Sequence, residues 1–319
     1  MTKRSRSTKF SARSEVYKGA VVADLRAETK VWLAEAPYSY AQEFLAAFEG
    51  LVQPIRDRLN LYQTYNMEDW ERLGDRAWTA PRTWLTRGKR DQARAFFARE
   101  SASENDAAVC GVEFVFRSDE ALYADENTPY IRQVLPADEL DEHSQELLAQ
   151  ARSLGDRLPF LCGHVGYCIE VSPLAGSVLE EEGHRAAFGL SMRHSGATIA
   201  GDFSTKRLRL FRGVEAIGWL TFVGRAPLEV LGGVDGVERR LAGVAGVSLH
   251  DVRHGLVIQA GAHPGLGDAN KGDNLPAYRA VYAALREVIE PASEALHSLQ
   301  LGGDDDAGQT MRWYTRLAQ

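Results

Sequence analysis

Strand-type segments that follow one another along the chain, with single helices set between them, constrain this fold more than any other feature of the sequence. The runs AAVCGVEFVFRS (107–118) and TPYIRQVLP (128–136) are β-branched and aromatic, and they are neighbours in the chain. ADELDEHSQELLAQARSL then places Leu140, Leu147, Leu148, Ala151 and Leu154 on one side of a helix, and LPFLCGHVGYCIEV (158–171) returns to strand. Neighbouring strands pair antiparallel through short connections, whereas parallel pairs need a crossover, usually a helix. The order predicts an α+β fold: a largely antiparallel sheet with packed helices in one compact domain. A chain of 319 residues is long enough to bury a full core.

Val16–Val22 reads as a first short strand. Phe44, Leu45, Phe48, Leu51, Val52 and Ile55 recur at helical spacing, with Pro54 ending or kinking that helix. Trp70, Trp78 and Trp84 follow, tryptophans of a kind that usually serves the core and only sometimes a binding surface. LAGSVLEEEGHRAAFGLSMRHSG reads as a helix, Leu208–Phe211 and Trp219–Val223 as strands, and APLEVLGGVDGVERRLAGV as a short helix broken by glycines. VSLHDVRHGLVIQAG reads as a pair of strands, so Trp219, Leu220, Phe222, Leu256, Val257 and Ile258 are expected in the core. The expected organisation is a basic arm over 1–14, the α+β domain over 15–291, and an acidic linker and tail over 292–319. In that tail Trp313 and Tyr314 need a surface to dock on.

A net charge of −7 and a pI near 5.7 argue against nucleic acid as the main partner; they read first as ordinary acidic solubility and second as suited to a basic protein partner. No apolar run approaches the length of a membrane span, so neither nucleic acid nor membrane is expected as a partner. Cys110, Cys162 and Cys168 are odd in number and contain no C-x-x-C pair, which suits buried thiols in a reducing cytoplasm.

The segment most like a ligand loop is GAHPGLGDANKGD (261–273). It lacks the G-x-G-x-x-G order and the Lys-Ser/Thr pair of phosphate loops. Counted from Asp268 as a calcium loop, it has Asp273 where Gly is needed and Arg279 where Glu is needed. It is expected to turn the chain through Asp268 and Asn270 into a helix entered at Pro276. The histidines, His250 and His254 among them, show no metal spacing, and no nucleophile elbow is present. No catalytic residue, cofactor or metal ion is therefore expected. The acidic groups Glu180, Glu181 and Glu182, and Asp304, Asp305 and Asp306, read first as solvated faces and second as candidates to meet a partner.

GWLTFVGRAPLEVLGG (218–233), followed by GLVIQAGAHPGLGDANKGDNLPAYRAV, resembles the C-terminal half of bacterial immunity proteins associated with type VI secretion effectors. That half shares a Trp-Leu-Thr-Phe segment, a Leu-Gly-Gly turn, a strand ending in Gln-Ala-Gly and a Pro-x-Leu-Gly-Asp-x-Asn loop. LPFLCGHVGYCIE and RHSGATI are similar to two upstream segments, with Cys162 in place of the usual Ser and Ser195 in place of the usual Pro. The resemblance runs from about Glu15 to Pro291, with 67–108 read as an insertion. It implies a protein that binds and blocks a toxin delivered between bacteria, by stoichiometric inhibition. An enzyme with a site assembled from distant residues, or an adaptor of toxin delivery, are the alternatives from other classes.

Overall fold

The longest strand is one whose sequence alternates charged with apolar side chains. In AVVADLRAETKVWL, Asp24, Arg26, Glu28 and Lys30 interleave with Leu25, Ala27, Thr29 and Val31, and the segment runs extended as β2 (Ala20–Leu33). Alternation of this kind sends one set of side chains to each face of a sheet. β1 (Ser14–Tyr17) pairs with β2 across a turn in which Lys18 and Gly19 take positive φ, 49° and 86°. Left-handed turn residues match the twist of the flanking strands. The single strand expected at Val16–Val22 is therefore a hairpin turn followed by a long strand.

The structure is a computed structural model that describes residues 14–88, 94–103, 105–116, 128–172, 178–200, 213–295 and 306–318. Most of the basic arm, the strand expected at Leu208–Phe211, Asp304 and Asp305 lie outside these residues. The other described strands begin with β3 (Leu61–Thr64), β4 (Glu71–Arg72), β5 (Arg94–Glu100), β6 (Cys110–Phe116) and β7 (Tyr130–Pro136). They continue with β8 (Phe160–Val171), β9 (Ala197–Ile199), β10 (Leu220–Gly224), β11 (Val247–Val252) and β12 (Gly255–Ala260). All belong to one sheet in the order β11-β12-β10-β8-β2-β7-β6-β5-β3-β4, with β1 against β2 and β9 against β8. The pair β8–β9 is parallel and the other described pairs are antiparallel, as the α+β reading expected.

One face of this sheet is aromatic. Phe96, Phe114 and Phe116 stand on adjacent strands, with Phe96 and Phe114 stacked at 5.9 Å. Phe44 and Phe48 of α1 (Ala41–Val52) meet Phe114 edge-on, both at 5.3 Å. Trp78 and Trp84 of α2 (Asp75–Arg87) lie against Phe96 and Phe114. Residues 67–108, read above as an insertion, thus supply β4, α2 and β5 to the common sheet and core. α3 (Ala137–Glu142) and α4 (Ser144–Arg157) complete this layer. Gly155 lets α4 approach closely, because a Cβ there would come within 2.8 Å of Val252.

The opposite face carries α5 (Val178–Arg193), α8 (Pro276–Ala295) and α9 (Asp306–Tyr314). Trp313, Tyr314 and Leu317 are buried, so the C-terminal segment docks on the core. The glycine-broken helix is two helices, α6 (Arg225–Val230) and α7 (Gly233–Leu241), separated at Gly232 with φ 87°. Trp219, Leu220, Phe222, Leu256, Val257 and Ile258 are all fully buried.

Candidate partner-binding site

Residues directly opposite each other in a ladder share a face. The pairs His164↔Lys30, Lys30↔Arg132 and Arg132↔Glu113 therefore set four ionisable side chains in one row across β8, β2, β7 and β6. Glu28 lies on the same face, two residues along β2. Arg132 donates through Nε to Glu28, through one terminal nitrogen to Glu113 at 3.3 Å, and through the other to Glu170. His164 Nε2 lies 2.8 Å from Glu28 Oε2, and Thr198 Oγ1 donates to the same oxygen at 3.3 Å. A second centre forms where Lys30 Nζ donates to Glu215 at 3.3 Å and Trp32 Nε1 donates to it at 2.6 Å. Lys30 also sits over the Trp32 ring, 4.4 Å from its centroid.

These groups lie in a buried layer. Glu28, Lys30, Arg132, His164 and Glu215 are all buried. Burying a charge is costly unless its partners hold it closely. Burial alone would raise the Glu28 pKa, but Arg132, the bond to His164 and the charge of Lys30 outweigh it, and the carboxyl stays well below its ordinary range. Glu170 goes the other way: burial raises it, Arg132 offsets only part, and Glu113 and Glu28 add to the rise. Burial likewise pushes the Cys110 thiol up to about 12. It also raises the thiols of Cys162 and Cys168. All three cysteines are free and buried, so their chemistry is that of inert core thiols.

Cover over this charged face is uneven. Across β8, β2 and β10 nearly every residue is buried. Across β5 and β6 the aromatic-face residues Phe96, Phe114 and Phe116 are buried, while Phe97, Glu113 and Val115 on the charged face are only half-buried. At the step between the two regions is a cavity of about 280 Å³, walled by Trp70 and Arg99 on one side and by Glu170, Ser172 and His184 on the other. Arg132 and Glu113 also line it, and Gly111 leaves its floor open. The Arg99 guanidinium lies 3.7 Å from the centroid of the Trp70 ring. Among the described residues, no three His, Cys, Asp or Glu side chains come together to hold a metal ion.

The glycine-rich loop lies elsewhere and turns the chain. Asp268 Oδ1 accepts from the Asn270 backbone amide at 3.1 Å and caps a single 3-10 turn, so Asn270 takes part through its amide. Arg193 grips both Asp268 oxygens, at 3.2 and 3.1 Å, and holds that carboxyl below its ordinary pKa. Tyr278 hydroxyl accepts from the Gly265 amide, tying the loop to α8, which begins at Pro276 as expected. His250 pairs with Gln259 on the sheet, while His254 sits in the β11–β12 turn. Of the acidic candidates, Glu181 is exposed on α5, one turn before His184, and Glu182 pairs with Arg185 at 2.6 Å. Glu180 lies in the first turn of the same helix and Asp306 begins α9. Glu181, facing solvent, and Glu182, held by Arg185, stand apart from the buried row.

The family model described as TsiV, type VI immunity for VRR-NUC, matches residues 42–317. Curated proteins give no match. Among solved structures, the Pseudomonas aeruginosa T6SS protein PA0821 is similar in fold, with a TM-score of 0.73 at 18% identity. That likeness covers 93% of this chain and 83% of the other.

Proposed function

The chain belongs to the family of type VI immunity proteins for VRR-NUC, and from that premise we propose that it binds a VRR-NUC effector stoichiometrically and neutralises it without turning over a substrate. The family match across nearly the whole described chain carries this reading. The site supports it in chemical terms: Glu28, Lys30, Arg132 and His164 are engaged within the buried row, and the three thiols are buried. A blocker of this kind acts in the cytoplasm of the cell it protects. Among the described residues, no helix is long and apolar enough to cross a membrane. An intracellular inhibitor must outcompete the toxin's substrate, which calls for nanomolar affinity, about −12 kcal/mol. Exposed acids such as Glu181, with Glu180, Glu182 and Asp304–Asp306 as further candidates, would hasten encounter with a basic toxin.

The test is co-expression with a VRR-NUC effector from the same genome, followed by co-purification and growth measurement. A complex of fixed stoichiometry together with restored growth is expected. Continued killing beside soluble protein, with no complex, overturns the reading for that pair.

A further inference from the structure

We propose that the cavity on the charged face is the anchor pocket for a cationic side chain, arginine or lysine, presented by the protein toxin. This deepens the immunity reading and rests on it.

The first support is the balance of donors and acceptors. Arg132 lines the cavity, but all of its nitrogens are engaged by Glu28, Glu113 and Glu170. Arg99 is held against Trp70, and both Arg99 and His184 have interaction partners of their own. The carboxylates are not so fully used. Glu113 takes Arg132 and the Tyr130 hydroxyl on the same oxygen, Oε1, and Glu170 takes Arg132 on Oε2. Among the described residues no hydrogen-bond donor reaches Glu113 Oε2 or Glu170 Oε1. A carboxylate offers about four lone-pair sites. Among the described lining residues, Glu113 and Glu170 therefore keep acceptors to spare, and an incoming guanidinium or ammonium is a ligand that would engage them.

The second support is the shape and setting of the pocket. At about 280 Å³ it has room for one long side chain, and an aromatic ring, Trp70, forms one wall. The β3–β4 hairpin beside it exposes Tyr65, Glu68 and Asp69, with Met67 and Trp70 half-buried. Aromatic residues, Met and Arg around a central pocket, with acids at the rim, are the composition of protein-binding hot spots. A nuclease partner must carry arginine or lysine to meet phosphate, so it offers the required cation. The raised pKa of Glu170 fits the same picture, since a cation placed beside it would stabilise its ionised form.

The experiment measures affinity for the VRR-NUC effector by calorimetry over a range of salt, using the full chain. Glu113→Gln removes one acceptor charge while keeping shape. Phe97→Cys, labelled with a bulky maleimide after folding, plugs the mouth of the pocket. The native cysteines are buried and should not compete for the label. Val230→Cys, labelled in the same way on exposed α6, is the control. Both pocket variants should weaken binding by about 30-fold or more and flatten its salt dependence, with the folded far-UV circular dichroism spectrum retained. The labelled control should bind like the unmodified chain. Wild-type affinity in either folded pocket variant overturns the proposal, and if Glu113→Gln does not fold, the labelled Phe97→Cys chain decides. If the unmodified chain forms no complex, the immunity reading itself falls, and the pocket assignment with it.

Discussion

Two halves of one sheet face meet water differently, although a single cross-strand row of ionisable residues runs through both. Over β8, β2 and β10 the charged face is sealed under α5, α8, α9 and the segment bearing Glu215, and its ionisable groups are locked to one another. Over β5, β6 and β3 it is half-open, with Phe97, Glu113 and Gln63 reaching solvent or the cavity. The difference shows that a charged strand residue has no fixed meaning. Glu28 and Glu113 both contact Arg132, yet the first is buried and fully engaged while the second keeps an oxygen to spare. Covered charge specifies the fold, and half-covered charge is available to a partner.

The sharpest way to break the contrast is Glu28→Ala. It strips Arg132 and His164 of their shared carboxylate inside a buried layer and should cost about 3–5 kcal/mol in urea unfolding. A loss under about 1 kcal/mol would mean that the covered half is no more committed than the open one.

Acid should next separate two carboxylates that share Arg132, one sealed and one bordering the cavity. Glu28 is depressed, so its contribution is fully present above the ordinary carboxylate pKa of 4.5 and is lost as pH falls below it toward the folded value. Glu170 is raised, so its contribution has the opposite sign, present at low pH and lost as pH rises through its folded pKa. Urea midpoints taken from pH 7 down to about 3 should fall for the wild type, and fall less steeply for Glu28→Gln. Equal slopes would remove Glu28 from the account.

The smallest effect on stability belongs to the open half. Trp70→Ala loses the stack with Arg99 and should cost about 1 kcal/mol. It should nonetheless weaken effector binding, because it removes a wall of the pocket. A large stability loss with unchanged binding would place Trp70 with the covered half instead.

Much of this was legible in the chain. The order of strand and helix signals determined an antiparallel α+β fold, and the continuous apolar runs around Trp219 and Leu256 marked strands buried on both faces, as they are. The turn role of Asp268 was legible for a local reason, as short polar side chains bond nearby amides. The charged row was written in the sequence without being readable there. Glu113 and His164 stand among apolar neighbours in strand-like segments, Arg132 sits beside Gln133, and Glu28 belongs to the alternating charges of β2. The period-two alternation in β2 was the clearest available signal, and by local rules it marks a solvated face. Tertiary structure alone decided that helices distant in sequence would cover that face over β8 and β2 and stop short of β6. Burial and pairing depend on which strands become neighbours, and cross-strand register links residues such as Glu28 and Arg132, 104 positions apart, that no local pattern connects.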